Sequence, residues 1–164
     1  MPIKKGHHCA YDTHYHLVFT VKYRRALLTP ALVDEMVRVG REIEQRYEIE
    51  IECFGADKNH VHLLCSAHPK VSPGQIARIY KSIWSIWVRE LFKTFPQLKK
   101  ELWGGQFWSD GYYVANCAER GNWTALVRYV KNQGLKPEDI NLRLVYPEPS
   151  LNEGLGPEPL DQTN

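Results

Sequence analysis

"IEIECFGADKNHVHLLCSA" occupies residues 49–67, and its two halves mirror each other. Residues 49–57 and 60–67 are each strand-like runs, and Lys58-Asn59 between them has the composition of a tight turn. Two such runs joined by two turn residues predict an antiparallel hairpin. Within the second run, a side-chain period of two puts Val61, Leu63 and Cys65 on one face and His60 and His62 on the other. The first set suits a core. The second places two imidazoles where apolar residues would pack at lower cost. A His-x-His pair is most often two partly exposed strand histidines, but two neutral imidazoles on one face also grip a metal ion.

The elements on either side of the hairpin follow from their own spacing. Upstream, "TPALVDEMVRVGREIEQRYE" offers Thr29 as a helix cap, Pro30 at the first helical position, and Leu32, Val33, Met36, Val37 and Ile43 at helical intervals. Before it, "HYHLVFTVKYR" (residues 14–24) reads as a strand. Downstream, a long helix beginning near Pro73 carries a broad apolar stripe through Ile76, Ile79, Tyr80, Ile83, Trp84, Trp87, Val88 and Leu91, and ends at Pro96. "LWGGQFWSDGYYVANC" holds two strand-like pieces, residues 106–108 and 112–117, with a turn at Asp110-Gly111. "NWTALVRYVKNQG" is a last amphipathic helix that starts near Glu119 and is capped by Gly134. The order strand, helix, strand, strand, helix, strand, helix predicts an α+β fold. It is a ferredoxin-like split βαβ antiparallel sheet with helices on one face, plus an appended C-terminal helix. Residues 1–10 read as an N-terminal extension, 11–146 as the domain, and 147–164 as a flexible acidic tail rich in Pro and Gly.

At 164 residues, 43% hydrophobic and 24% charged, the chain is long enough for one domain with a real core. The net charge of +2 points to no partner, but the basic residues cluster beside aromatic ones. Lys22, Arg24 and Arg25 flank Tyr23, and Arg78 and Lys81 flank Tyr80. Cations beside flat rings suit a nucleic-acid strand, through phosphate neutralisation and base stacking; a solvated surface over core aromatics has the same composition. Cys9, Cys53, Cys65 and Cys117 form no C-x-x-C pair, which argues against a disulfide framework or a cysteine zinc site. The N-terminal stretch has no apolar signal region and no run is long enough to span a membrane, so a cytoplasmic protein is expected.

Tyr129 and Gln133 lie four residues apart on the last predicted helix and share a face. A tyrosine next to Val127 and Val130 is ordinarily a packing residue. Its hydroxyl is also a competent nucleophile for phosphodiester cleavage. The Gln133 carbonyl, one turn on, could add an oxygen ligand to an ion held by two histidines, leaving positions open for phosphate and water.

Together "HYHLVFTVKYRR", "DKNHVHLL", "LWGGQFWSDGYYV" and "YVKNQG" resemble the single-tyrosine HUH transposases, small enzymes of insertion sequences that move as single-stranded DNA. The resemblance covers roughly residues 11–134. It implies that His60 and His62 are metal ligands, that Gln133 is the third ligand and that Tyr129 is the nucleophile. It implies further a homodimer, recognition of DNA hairpins at the element ends, and Mg²⁺ or Mn²⁺ as the cofactor. Single-stranded DNA would be cut and rejoined through a 5′-phosphotyrosine. The basic residues Lys22, Arg24, Arg25, Arg78 and Lys81 are the candidate DNA contacts. The earlier pair, His14 and His16, has the same form but falls outside the family's metal motif, and is expected to be structural or DNA-facing. Two other readings stay open on the residues alone. One is a non-catalytic nucleic-acid-binding protein of the same fold. The other is a metal-dependent phosphodiesterase in which water attacks and Tyr129 only packs.

Overall fold

The computed structural model describes residues 3–94, 96–101, 106–117, 125 and 127–130. In chain order its elements are β1 (Lys4–Gly6), β2 (Cys9–Tyr11), β3 (Tyr15–Thr20), α1 (Pro30–Tyr47), β4 (Ile49–Ala56), β5 (His60–Ala67), α2 (Pro73–Thr94), α3 (Pro96–Glu101) and β6 (Tyr113–Asn116). The hairpin of β4 and β5 runs in register from Ala56 opposite Val61 to Ile49 opposite Ala67. Its turn is closed by the Asp57 N–H donating to the His60 carbonyl at 2.8 Å. The Asp57 carboxylate accepts from the Lys58 N–H at 2.6 Å. The register shifts between Ile51 and Cys53, so Glu52 is the extra residue of a bulge.

Sheet order is β4-β5-β3-β6, with every neighbouring pair antiparallel. β3 and β4 are therefore parallel with β5 between them, and α1 makes the crossover. The architecture is mixed α+β, an antiparallel sheet with helices. β1 and β2 form a separate two-stranded hairpin over residues 4–11, which crosses the boundary expected between extension and domain.

One face of the sheet holds the core. Leu17, Phe19 and Val21 on the first strand and its exit meet Val61, Leu63 and Cys65 from β5 and Phe54 from β4, all essentially without exposure. α1 forms where the sequence predicts it. The Thr29 hydroxyl accepts from the Leu32 N–H at 3.3 Å, Pro30 needs no N–H partner, and Leu32, Val33, Met36, Val37 and Ile43 are buried. α2 lays Ile76, Ala77, Tyr80, Trp84 and Val88 onto the same face. The Trp84 indole N–H donates to the Met36 carbonyl at 2.9 Å, which fixes α2 against α1. Burying a ring of this size removes about 150–250 Å² from water, an upper value of roughly 4–6 kcal/mol at 25 cal/mol/Å². Trp84 is thus a pivot of the core rather than a surface aromatic.

Three elements differ from the sequence reading. The first strand stops at Thr20 instead of running to Arg24. Val21 makes a single bridge to Trp108, its N–H donates to the Asn59 carbonyl, and residues Lys22–Arg24 turn with positive φ at Tyr23 and Arg24. The chain must leave the sheet there to reach α1. Residues 106–108 form no strand of their own: the pairing is one isolated bridge, Val21 to Trp108, with the Lys22 N–H donating to the Phe107 carbonyl beside it at 2.8 Å. α2 is described as far as Thr94, and Pro96 is the first residue of α3, the position where a missing N–H costs nothing; residue 95 lies outside the described residues. Residue 125 and residues 127–130 are helical; the start of the predicted last helix, Gln133, Gly134 and the tail at 147–164 lie outside the described residues. Among the described residues, no helix is long and apolar enough to cross a membrane.

Candidate active site

The sheet face opposite the core carries the chemistry-bearing residues. His60 and His62 project from it together, ring centroids 5.0 Å apart, as the alternation along β5 requires. Each has a neighbour on its inner nitrogen. His60 Nδ1 lies 2.6 Å from the Asn59 Oδ1. His62 Nδ1 lies 2.8 Å from His16 Nε2, and those two rings stack at 5.1 Å with a 17° tilt. His62 is 5% exposed, and its outer nitrogen, Nε2, is buried without a hydrogen-bond partner among the described residues. Burial, reinforced by the charges His60 and His16 would carry, pushes the His62 pKa down to about 3. Burial also lowers that of His16. Both rings are therefore neutral at pH 7, the state in which imidazole nitrogen binds a cation.

Tyr129 arrives at this pair from residues 127–130. Its ring centroid lies 5.9 Å from that of His62 at an angle of 81°, and the residue is 56% exposed. Its neighbour Val130 is the anchor, 1% exposed and packed with Cys53 and Leu64 on the sheet. Gly55, opposite His62 in the ladder, makes this seat possible: a Cβ there would stand 2.6 Å from Val130 Cγ1. The sequence reading gave Gly55 no role, Asn59 only a place in the turn, and His16 a structural or DNA-facing one away from the metal motif. The signals were a glycine within a strand, which often marks close approach of another backbone, and a second His-x-His on the strand next to β5.

The orphaned Nε2 of His62 beside His60 fits a divalent cation. Among the described residues, no group of three or more His, Cys, Asp or Glu side chains is arranged to hold an ion, so the pair needs a further donor. Gln133, the predicted donor, lies outside the described residues. His14, two residues before His16, is engaged elsewhere. Its ring nitrogens face Asp12 at 2.6 Å and Glu52 at 2.8 Å.

The candidate DNA contacts fall into two adjoining grooves. Val18, Thr20, Tyr23, Arg24, Ser109, Gly111, Tyr112 and Tyr113 line one of about 410 Å³. Val18 and Thr20 pair with His62 and His60 across β3 and β5, so this groove lies next to the histidines on the sheet, without being lined by them. At its rim Tyr23 is 69% exposed, with the Lys22 and Arg25 cations 5.6 and 5.7 Å from its ring centroid. Lys22 also donates to the Gln106 side chain. The second groove, about 420 Å³, runs along α2 past Arg78, Lys81 and Arg89. Here Lys81 spends its three N–H donors on the carbonyls of Ser109, Asp110 and Gly111, at 2.6, 3.1 and 3.0 Å, and its burial lowers its pKa. Lys81 thus holds the turn that shapes both grooves.

The family model described as "Transposase IS200 like" matches residues 9–133. The chain belongs to the IS200-like transposase family. Among curated relatives of this transposase, the ISDra2 transposase TnpA of Deinococcus radiodurans is 31% identical over 133 residues, covering 81% of this chain and 92% of that one. The transposase for insertion sequence element IS200 of Salmonella typhimurium is 28% identical over 145 residues, 87% of this chain and 90% of its own. A crystal structure of a Deinococcus radiodurans protein assigned as a transposase superposes with a TM-score of 0.62 at 28% identity, over 80% of this chain and 98% of that chain. A REP-associated tyrosine transposase bound to a REP hairpin shares the fold, with a TM-score of 0.58 at 11% identity over 83% and 74% of the two chains.

Proposed function

We propose that this IS200-like transposase cuts and rejoins single-stranded DNA at hairpin-marked insertion-sequence ends, with Tyr129 as the nucleophile. The observation that carries the reading is the Tyr129 ring 5.9 Å from His62, on the sheet face away from the core and largely open. A tyrosine that only packs would bury its ring, as Tyr80 does at 0% exposure. The Tyr129 hydroxyl releases its proton to water as its oxygen attacks phosphorus, and the P–O3′ bond breaks. The departing 3′ oxygen takes up a proton, and the 5′-phosphate stays esterified to Tyr129. The ester conserves the bond for rejoining, so no nucleotide cofactor is needed.

His60 and His62, with Gln133, are the proposed holders of Mg²⁺ or Mn²⁺. A bound ion polarises the scissile phosphate and steadies the leaving oxygen. Lys22, Arg24 and Arg25 are proposed to neutralise phosphates where the first groove opens, with Tyr23 offering a face for a base. Arg78 is proposed to do so along the second groove, and Lys81 to serve DNA there through the turn it holds. The relative bound to a REP hairpin motivates the hairpin as the preferred substrate. A homodimer is proposed as the working form. The edge strand β6 exposes Tyr113 and Val114, and an open apolar edge invites a second copy.

The test is a labelled hairpin with a single-stranded flank, incubated with Mn²⁺ and run on a denaturing gel. The wild type should give a covalent protein–DNA band, and Tyr129→Phe should bind DNA without forming it. Cleavage without the band would mean hydrolysis by water. Retardation on a native gel with no cleavage would mean a binding protein only.

A further inference from the structure

His16 belongs to the motif that sequence analysis set aside, yet it touches the candidate metal ligand. The rings of His16 and His62 are both buried, stack at 5.1 Å, and share one hydrogen bond of 2.8 Å between His16 Nε2 and His62 Nδ1. The Tyr113 ring packs edge-on against His16 at 5.8 Å, which limits the freedom of that imidazole. One proton occupies the bond, and it has two places to sit. If it sits on His16, His62 becomes the Nε2–H tautomer, and a buried N–H points into the site with no acceptor among the described residues. Orphaned buried N–H groups are rarer in proteins than under-used acceptors. If it sits on His62 Nδ1, then Nε2 carries a bare lone pair. His60 follows the same pattern, with Nδ1 against the Asn59 carbonyl oxygen, an acceptor only.

We propose that His16 is a positioning residue: it accepts the Nδ1 proton of His62 and thereby fixes the tautomer and ring plane that present Nε2 to a divalent cation. The inference rests on the reading of His62 as a metal ligand, and it adds a role for the first strand that the ligand set does not contain. Partners on the far nitrogen of a ligating histidine commonly fix its tautomer, and their loss weakens metal binding by about 10–100-fold.

The experiment uses the full chain in two states. In the metal-free protein, stripped with chelator at pH 7, long-range ¹H–¹⁵N correlation spectra read the protonated nitrogen of His62 directly. The expected result is Nδ1–H in the wild type and in His16→Gln, whose amide oxygen can still accept. In His16→Leu the population should move toward Nε2–H. Mn²⁺ alone is then titrated by electron paramagnetic resonance. His16→Leu should bind roughly 10–100-fold more weakly than wild type, and His16→Gln should recover most of the loss. An Nε2–H tautomer in the metal-free wild type overturns the proposal, and so does wild-type Mn²⁺ affinity in a folded His16→Leu. Should His16→Leu fail to fold, the wild-type tautomer and the His16→Gln titration still decide. His62→Ala separates the two readings. If it keeps wild-type Mn²⁺ affinity, His62 is no ligand and the positioning role falls with it, while the tautomer spectra still report on the hydrogen bond.

Discussion

Gly55→Ala is the sharpest way to ask whether the seat of Tyr129 matters. The added Cβ would stand 2.6 Å from Val130 Cγ1 and 3.2 Å from the Val130 carbonyl oxygen. Ordinary contact begins near 3.4 Å, so residues 127–130 must lift from the sheet by about 0.8 Å, or Val130 must leave its rotamer. Overpacking of this size typically costs about 1–3 kcal/mol of stability. Its larger effect should be on chemistry. A misplacement near 1 Å costs on the order of 10²-fold in rate when reacting groups are held by the fold. The histidines do not move with residues 127–130, because β3 and β5 hold them. Single-turnover formation of the covalent adduct should therefore slow about 100-fold, while the imidazole ¹⁵N signals of His60 and His62 in the metal-free protein stay at their wild-type positions. Trimming the clashing methyl in Gly55→Ala/Val130→Ala should return part of the rate, a coupling expected only of residues in contact. Wild-type adduct kinetics in a folded Gly55→Ala would refute the argument that this glycine sets the tyrosine's distance.

Four further outcomes are expected. Arg78→Gln should flatten the plot of log affinity against log salt by roughly 0.7–0.9 per lost phosphate contact. Lys81→Met should leave that slope unchanged, but lower the melting temperature and speed amide exchange at residues 109–111, since its ammonium serves three carbonyls. In chelator, the stability contributed by neutral His62 is complete above its unfolded pKa of 6.5 and is lost as pH falls toward about 3, because the unfolded chain takes the proton first. The melting temperature of the wild type should therefore drop more steeply over that interval than that of His62→Leu, and parallel curves would refute it. A mixture of Tyr129→Phe and His60→Ala chains, after proven subunit exchange, should recover the covalent adduct if one protomer's tyrosine serves its partner's histidines. Continued inactivity would assign both halves of the site to one chain.

The sequence made the local parts of this architecture legible because their causes are local. Thr29-Pro30 starts α1 through a cap and a missing N–H, and the alternation of Val61 and Leu63 with His60 and His62 needs only the period of a strand. What stayed hidden depends on which strand lies beside which. His16 looks like a duplicate of the His60 motif until β3 is placed antiparallel to β5, with Val18 opposite His62. Only then does its Nε2 meet His62 Nδ1. Lys81 reads as a free cation on a helix, since nothing near it in sequence announces that Ser109 to Gly111 will fold over its ammonium. The early end of the first strand has the same origin, for Val21 is claimed by Asn59 and Trp108 from distant parts of the chain.

The position of β3 also sets a timetable for the nascent protein. Tyr15 pairs with Cys65 on one side and with Asn116 on the other, so its second neighbour is synthesised about a hundred residues after it. At roughly 5–20 residues per second, the ribosome needs on the order of 5–20 s to cover that distance. The histidines of β3 and β5 can meet well before β6 emerges. During that interval the far side of β3 presents unpaired N–H and C=O groups, an edge that any extended segment nearby can occupy. Translation that stalls before Tyr113 should therefore release chains that hold the three histidines together yet associate through the vacant side of β3. Completion of β6 pairs that side of β3 and moves the open edge of the sheet to β6 itself.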